Sequence, residues 1–318
     1  VFGEITVENT ELQDQILIKT DGYPTYNFAN VIDDHTMGIT HVVRGCEYLS
    51  STPKYNLLYE AFGWEIPTYI HLPLIMGKDA DGNVSKLSKR HGATGFYDLI
   101  DEGYLPEAII NYIALLGWCP KDNQGIFTLK ELEKAFDISG ISKSPAVFDY
   151  DKLSWFNGEY IKAMTPEKFT EVAMPYYKKV FGDKQMPYEK FAAILQKRTT
   201  QLTQIPEMLD FFAELPSYTK ELFVNKKSKT NLENSPVVLK EAYDRLKAMP
   251  EWNETSIHDC LINMAVEKEL KNGTVMWPVR IAAAGKTVTP GGAVEILDIL
   301  GRDESLARLE KGMAILAE

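Results

Sequence analysis

Five consecutive residues, Lys86-Leu87-Ser88-Lys89-Arg90, concentrate two lysines, an arginine and a hydroxyl just ahead of His91-Gly92. Clustered ammonium groups cost too much to desolvate unpaired. The preceding stretch, Gly77-Lys78-Asp79-Ala80-Asp81-Gly82-Asn83, is rich in turn formers. The segment therefore reads as an exposed cationic loop. Such a loop suits polyphosphates, because lysine supplies point charge while hydroxyl and backbone N–H groups supply donors. A second set, Tyr26, Asn30 and Arg44, suits a carboxylate: arginine offers a bidentate fork, and tyrosine and asparagine add neutral hydrogen bonds. Taken singly, each has a plainer reading, since charged loops and isolated surface ion pairs are ordinary features of protein surfaces.

The elements around these residues would bring them to one edge. Gln15–Lys19 is a short apolar run ending at Asp21-Gly22, which predicts a buried strand and a turn. Pro24 then sits in the first turn of a helix that carries Tyr26 and Asn30 on one face, at i and i+4. Ile39–Gly45 predicts a second strand, with Arg44 at its end. Thr52 reads as an N-cap with Pro53 at N1; Leu57, Leu58, Ala61 and Phe62 form the apolar face, and Gly63 closes the helix. Tyr69–Ile75 predicts a third strand, marked by Pro73 as an edge or bulge. Strand and helix alternate as in half of a doubly wound sheet, where ligands collect at strand ends.

The rest of the chain is helical in pattern. Pro106 opens and Gly117 closes a helix apolar nearly all round, expected to be buried, and Thr128 with Glu131 forms a capping box. Trp155 and Tyr160 read as core aromatics. Thr165-Pro166-Glu167 starts a series of amphipathic helices: 169–181, 188–202, 205–215, 237–248, 257–270 and 293–300. No long strand interrupts them, so this half is a bundle assembly.

The 318 residues call for two or three domains. No apolar run reaches the roughly 18–20 residues that span a bilayer, and no signal peptide is visible. Cys46, Cys119 and Cys260 are far apart and lack zinc-like spacing, so no protein-bound zinc or disulfide framework is expected and a reducing, cytoplasmic setting fits. The net charge of -11 argues against a nonspecific nucleic-acid coat, but not against a local basic face. Between Tyr160 and Arg198, eight basic residues face four acidic ones, and Lys226-Lys227-Ser228-Lys229 adds a basic loop; both suit a phosphate backbone.

The order of Asp21-Gly22-Tyr23-Pro24-Thr25-Tyr26, Asp33-Asp34-His35, Thr40–Gly45, Thr52-Pro53, His71-Leu72-Pro73-Leu74 and Lys86–Arg90 resembles the second half of the catalytic domain of the glutamyl-tRNA synthetases, with Lys86–Arg90 in place of the class I KMSKS loop. The blocks Leu105-Pro106-Glu107-Ala108, Leu115-Leu116-Gly117-Trp118 and Lys152–Gly158 resemble the family's stem-contact domain. Trp277–Gly285, Thr289-Pro290-Gly291-Gly292 and Leu306–Leu309 resemble its anticodon-binding domain. The resemblance implies a mainly α fold with an α/β part. A partial doubly wound, Rossmann-like sheet would occupy 1–90, a helical stem-contact domain 91–162 and an α-helical anticodon-binding domain 163–318, with a sub-bundle boundary near 216–236.

It further implies a glutamate–tRNA ligase reaction, with ATP and its magnesium ion, L-glutamate and tRNA(Glu) as partners, in a monomer without a membrane partner. Lys89, with Lys86 and Ser88, would neutralise ATP phosphates. Tyr26, Asn30 and Arg44 would hold glutamate. Glu47, Tyr48 and Ile75 would border the nucleotide, and Arg198 or Thr199 would sense the last anticodon base. Two alternatives stay open: a noncatalytic tRNA-binding module, and a nondiscriminating ligase that also charges tRNA(Gln). Glutaminyl-tRNA synthetases are disfavoured, because the far half here is helical where theirs is barrelled. The family's HxGH element is absent, and the chain opens at Val1. The expectation is a C-terminal portion that cannot complete the reaction alone.

Overall fold

The computed structural model describes residues 1–79, 81–88, 91–92, 95–122 and 124–317. Lys89 and Arg90 lie outside the described residues. The chain divides into two compact units, one of 1–101 with 105–156, the other of 102–104 with 157–318. Helix dominates both, with a small parallel sheet in the first.

In the first unit α1 (Tyr26–Thr36) precedes β1 (His41–Gly45), α2 (Thr52–Phe62) and β2 (Thr68–Leu72). Strands β1 and β2 are parallel, and their register sets Arg44 opposite His71. Helix α2 is the crossover that a parallel pair requires. Val31, Tyr55, Leu58 and Tyr59 form the core between α1 and α2, with Leu17, Phe28 and Trp64 packed against it. Gly63 closes α2 in the left-handed conformation, at φ 69°.

Two expectations need correction. Gln15–Lys19 is not a strand. Around Gly22, at φ 86°, the chain folds back on itself, so that Thr25 N–H donates to Leu17 O at 2.8 Å and Lys19 N–H to Tyr23 O at 2.8 Å. Leu17 turns inward, and the Gln15 Oε1 is buried too, while Ile16 and Ile18 face solvent at 71% and 57% exposure. The predicted strand 69–75 is cut at Pro73, which has no N–H to give a ladder. Beyond it β3 (Ile75–Lys78) joins a different sheet, antiparallel to β4 (Val84–Lys86) and parallel to β5 (Ala146–Val147).

Helices α3 (Phe96–Asp101), α4 (Pro106–Gly117) and α5 (Leu129–Ala135) complete this unit together with the start of α6 (Tyr150–Ala163). The Thr128–Glu131 capping box forms in both directions. Buried Asn111 accepts the Phe127 N–H at 2.7 Å and donates to Gly125 O at 3.0 Å, so its amide is matched to the loop it crosses. Helix α4 is less enclosed than its composition suggests, because Ile110 and Ile113 are exposed. Trp155 is 53% exposed, so it is not a core aromatic.

The second unit holds α7 (Pro166–Phe181), α8 (Tyr188–Leu195), α9 (Ile205–Ala213), α10 (Asn234–Ala248), α11 (Glu254–Glu267), α12 (Asn272–Ala284), α13 (Ala293–Leu300) and α14 (Arg302–Ala317). Thr165 caps α7 through the Lys168 N–H. Helix α12 lies against α10, α11, α13 and α14. Small side chains make this close packing possible: a Cβ at Gly312 would lie 2.6 Å from the Ala282 methyl. Arg308, 4% exposed, donates from Nη1 to Phe211 O (2.7 Å) and Ala283 O (2.9 Å), and from Nε to Glu304 (2.6 Å). A cation at the carbonyl ends of α9 and α12 is favourable on dipole grounds as well.

Candidate functional site

Arg44 occupies the penultimate position of β1. Its guanidinium carbon lies 4.6 Å from the Tyr55 ring, 5.0 Å from Tyr48 and 5.1 Å from Tyr69. Three aromatic faces stabilise the cation without consuming its donors. Nη2 donates to Thr52 Oγ1 at 3.2 Å. Nε is buried and meets no acceptor. Among the described residues Arg44 has no carboxylate within ion-pair distance. A buried Nε without an acceptor is costly unless something else completes it.

Neighbouring groups follow from the same placement. Burial pushes the Asp34 carboxyl above its ordinary value, Arg44 pulls it back, and Asp33 adds to the rise. Burial raises the Tyr69 phenol to about 12, so it stays neutral. Tyr48 is raised first by the Tyr26 phenol beside it, the two rings being 6.1 Å apart. Tyr26 is therefore joined to the Arg44 cage through Tyr48. Asn30, one helical turn on, has a buried Oδ1 without a partner. Asn27, between them, accepts the Tyr55 hydroxyl at 2.9 Å and steadies that wall of the cage.

Thr52 does not cap its helix. Ser51 is the N-cap and makes no side-chain cap bond. The Thr52 hydroxyl instead donates to Tyr48 O at 2.9 Å and lies 3.1 Å from His71 Nε2. Sequence reading missed the roles of Thr52, Tyr55, Tyr69 and His71. The one signal for them was the expected parallel pairing of the strands that carry Arg44 and His71.

A second cluster stands at the hairpin of β3 and β4. Lys86 pairs with Glu47 at 3.7 Å across exposed surface, which links the cationic stretch to the residues just after β1. Leu87 N–H donates to Ile75 O at 3.0 Å, so Ile75 borders the same stretch. Ser88 is held by His91: its N–H donates to Nδ1 at 3.1 Å, and Nε2 lies 3.2 Å from Ser85 Oγ. The Ser88 hydroxyl and carbonyl also lie 3.1 and 3.2 Å from the same Nδ1, so the ring is clasped by this one residue. Gly77 admits the ring, since a Cβ there would lie 2.6 Å from His91 Cγ. His91 also escaped the sequence reading. Lys89, the lysine given the largest role, falls outside the described residues.

In the second unit Arg198 lines an open cleft of about 930 Å³ with Gln204, Glu207, Lys286, Thr287 and Thr289. Arg280 lies over the Trp277 ring at 4.7 Å and donates to Thr287 O at 2.9 Å. Burial, and then the nearby Arg198, lower its pKa from the ordinary arginine value. Arg198 and Lys286 line the cleft itself, Lys286 paired with Asp210 at 2.5 Å, while Arg280 is joined to the lining through Thr287. Thr199 is fully buried and its hydroxyl donates to Leu195 O at 3.0 Å, so of the two candidates only Arg198 reaches the cleft.

Comparison with known proteins matches this division. Residues 1–155 match the family model of the class I tRNA synthetase catalytic domain, E and Q type, and residues 168–313 match an anticodon-binding domain model. Both parts of the chain are thus similar to parts of class I tRNA synthetases. It is 56% identical to a glutamate–tRNA ligase of Clostridium kluyveri over 313 residues, 98% of this chain and 63% of that protein. A Clostridium tetani glutamate–tRNA ligase is 54% identical over 313 residues, with coverage of 98% and 63%. A solved glutamate tRNA ligase from Elizabethkingia meningosepticum, in complex with its amino acid, superposes with a TM-score of 0.84 at 33% identity, covering 98% of this chain and 64% of that one. The chain thus spans a little under two thirds of the length of the curated relatives it matches. The expected family resemblance and the mainly helical fold with a small α/β part both hold.

Proposed function

We propose that this synthetase chain supplies the amino-acid pocket, the cationic loop and the anticodon-binding helices of a glutamate–tRNA ligase. The observation that carries the reading is Arg44: caged by three rings, bound to a neutral hydroxyl, and left with a buried donor unmet. Its fork receives a substrate carboxylate, with Tyr26 and Asn30 adding hydrogen bonds. Lys86, Ser88 and Lys89 neutralise the ATP phosphates, bordered by Glu47, Tyr48 and Ile75. The α-carboxylate oxygen of glutamate attacks the α-phosphorus, the bond to the bridging oxygen breaks, and pyrophosphate leaves; a terminal ribose hydroxyl of the tRNA then attacks the acyl carbon of the resulting adenylate, the acyl–phosphate bond breaks, and AMP leaves. Positioning and charge neutralisation supply most of the rate in such steps. Magnesium is the usual partner of ATP phosphates and would be held largely through the nucleotide itself, and no step here depends on a protein ligand to it.

The arrangement is read as three parts, 1–90, 91–162 and 163–318, with Arg198 beside the anticodon loop of tRNA(Glu). RNA loops are read by stacking and base-edge hydrogen bonds, and the Arg198 cleft offers both room and donors. No helix among the described residues is long and apolar enough to cross a membrane. A cytoplasmic monomer is the assembly proposed.

The test joins this chain to the segment of the Clostridium kluyveri ligase that it does not match, and measures glutamate-dependent exchange of pyrophosphate into ATP. Exchange is expected in the completed ligase and not in the chain alone, and Lys89→Ala should reduce it at least a hundredfold, a typical loss for one charge-stabilising donor. A neutral Lys89→Ala would remove the loop from the chemistry. The chain alone should bind tRNA(Glu) with an affinity that falls steeply with salt; a flat response would count against the basic face.

A further inference from the structure

We infer that Thr52 and His71 are positioning residues that aim Arg44 at the substrate carboxylate. This rests on the reading of Arg44 given above. The three rings around the guanidinium hold it by broad, weakly directional attraction. They fix where the cation sits and leave its rotation in the plane of the fork free. The bond from Nη2 to Thr52 Oγ1 supplies direction.

Proton accounting on Thr52 brings in His71. The hydroxyl has one hydrogen, and Tyr48 O takes it at 2.9 Å. The oxygen can then only accept from its other two neighbours, Arg44 Nη2 at 3.2 Å and His71 Nε2 at 3.1 Å. His71 must therefore carry its proton on Nε2. The imidazole is 7% exposed and lies opposite Arg44 in the strand register. Burial first, and the Arg44 charge second, lower its pKa, which favours the neutral ring. The chain of bonds runs from a strand-held imidazole, through a hydroxyl tied to a backbone carbonyl, to the guanidinium. Each member is anchored independently of substrate, so the fork is set before glutamate arrives.

The test uses the completed ligase with Thr52→Val, Thr52→Ser, His71→Gln and Arg44→Lys. Thr52→Val keeps shape and removes the acceptor. It should raise the KM for glutamate about tenfold, the scale of one hydrogen bond to a charged group, while the KM for ATP and the thermal midpoint stay near those of the parent. Thr52→Ser should restore the parent KM, and His71→Gln, whose amide can still donate, should fall between. Nitrogen-15 spectra of the chain should show the His71 proton on Nε2. An unchanged glutamate KM in Thr52→Val beside a large loss in Arg44→Lys would overturn the positioning role and leave the Arg44 reading intact. A Thr52→Val effect spread equally over both substrates, or a proton on Nδ1 of His71, would also overturn it. No effect from Arg44→Lys would instead sink the reading of the pocket.

Discussion

Arg44 and Arg308 are both largely enclosed arginines, one in each unit, and they are solvated by the protein in opposite ways. Arg308 is tied to two carbonyls at helix ends and to Glu304. Its charge and donors serve the fold. Arg44 leans on aromatic faces, gives one bond to a hydroxyl and keeps a buried Nε without an acceptor. A buried charge needs partners, and whether those partners are carboxylates and carbonyls or neutral rings decides whether a ligand is still wanted. The contrast separates a structural cation from one held ready for binding.

The sharpest break of this comparison is Arg308→Met. Two helix-end carbonyls lose their donor, so the chain should be destabilised by about 3 kcal/mol, read from chemical denaturation, with the glutamate KM of the surviving folded ligase unchanged. A stability loss below about 1 kcal/mol would mean that those bonds do not hold α9 and α12 to α14. Arg44→Ala should do the reverse. Glutamate affinity should fall about a hundredfold, near the 2.7 kcal/mol of a charged hydrogen-bonded contact, while the denaturation midpoint barely moves. A large stability loss without an affinity loss would make Arg44 structural too.

Arg198→Gln sharpens the comparison within the second unit, since Arg198 reaches a cleft where Arg308 does not. Binding of tRNA(Glu) should weaken about tenfold, the lower range for one base contact, and the salt slope should flatten. The smallest effect concerns His71. Its pKa is lowered in the fold by burial and by Arg44, so the unfolded chain takes up the proton first. Stability should therefore be fully present above pH 6.5 and decline as pH falls from there towards the folded value. His71→Gln should show a flatter pH profile of stability; an equal slope would place the titration elsewhere.

Much of the site is legible in residue types and spacing. Tyr26, Asn30, Arg44 and the lysine-rich stretch stand out because charge and hydroxyls beside turn formers are costly to place elsewhere. The supporting residues are not legible in the same way. Thr52 before Pro53 looks like a helix cap, and only the fold shows its hydroxyl engaged by Tyr48, Arg44 and His71. Thr199 is polar next to an arginine, yet its own hydroxyl closes on the preceding turn and buries it. Gln15–Lys19 has a strand's composition, but its alternation puts one apolar side chain inward and two outward, and a left-handed Gly22 turns the chain back. Pro73 was legible as a defect, though not as the point where one sheet ends and another begins. Trp155 shows the reverse error, a large aromatic that composition sends to the core and the fold leaves half in solvent.

The central claim is most directly tested by a structure of this chain, within the completed ligase, with glutamate bound. The account predicts a glutamate carboxylate within hydrogen-bond distance of the Arg44 fork, with Tyr26 and Asn30 beside it and the Thr52 contact intact. Glutamate bound elsewhere, or Arg44 swung out of its aromatic cage to pair with Asp34, would contradict it.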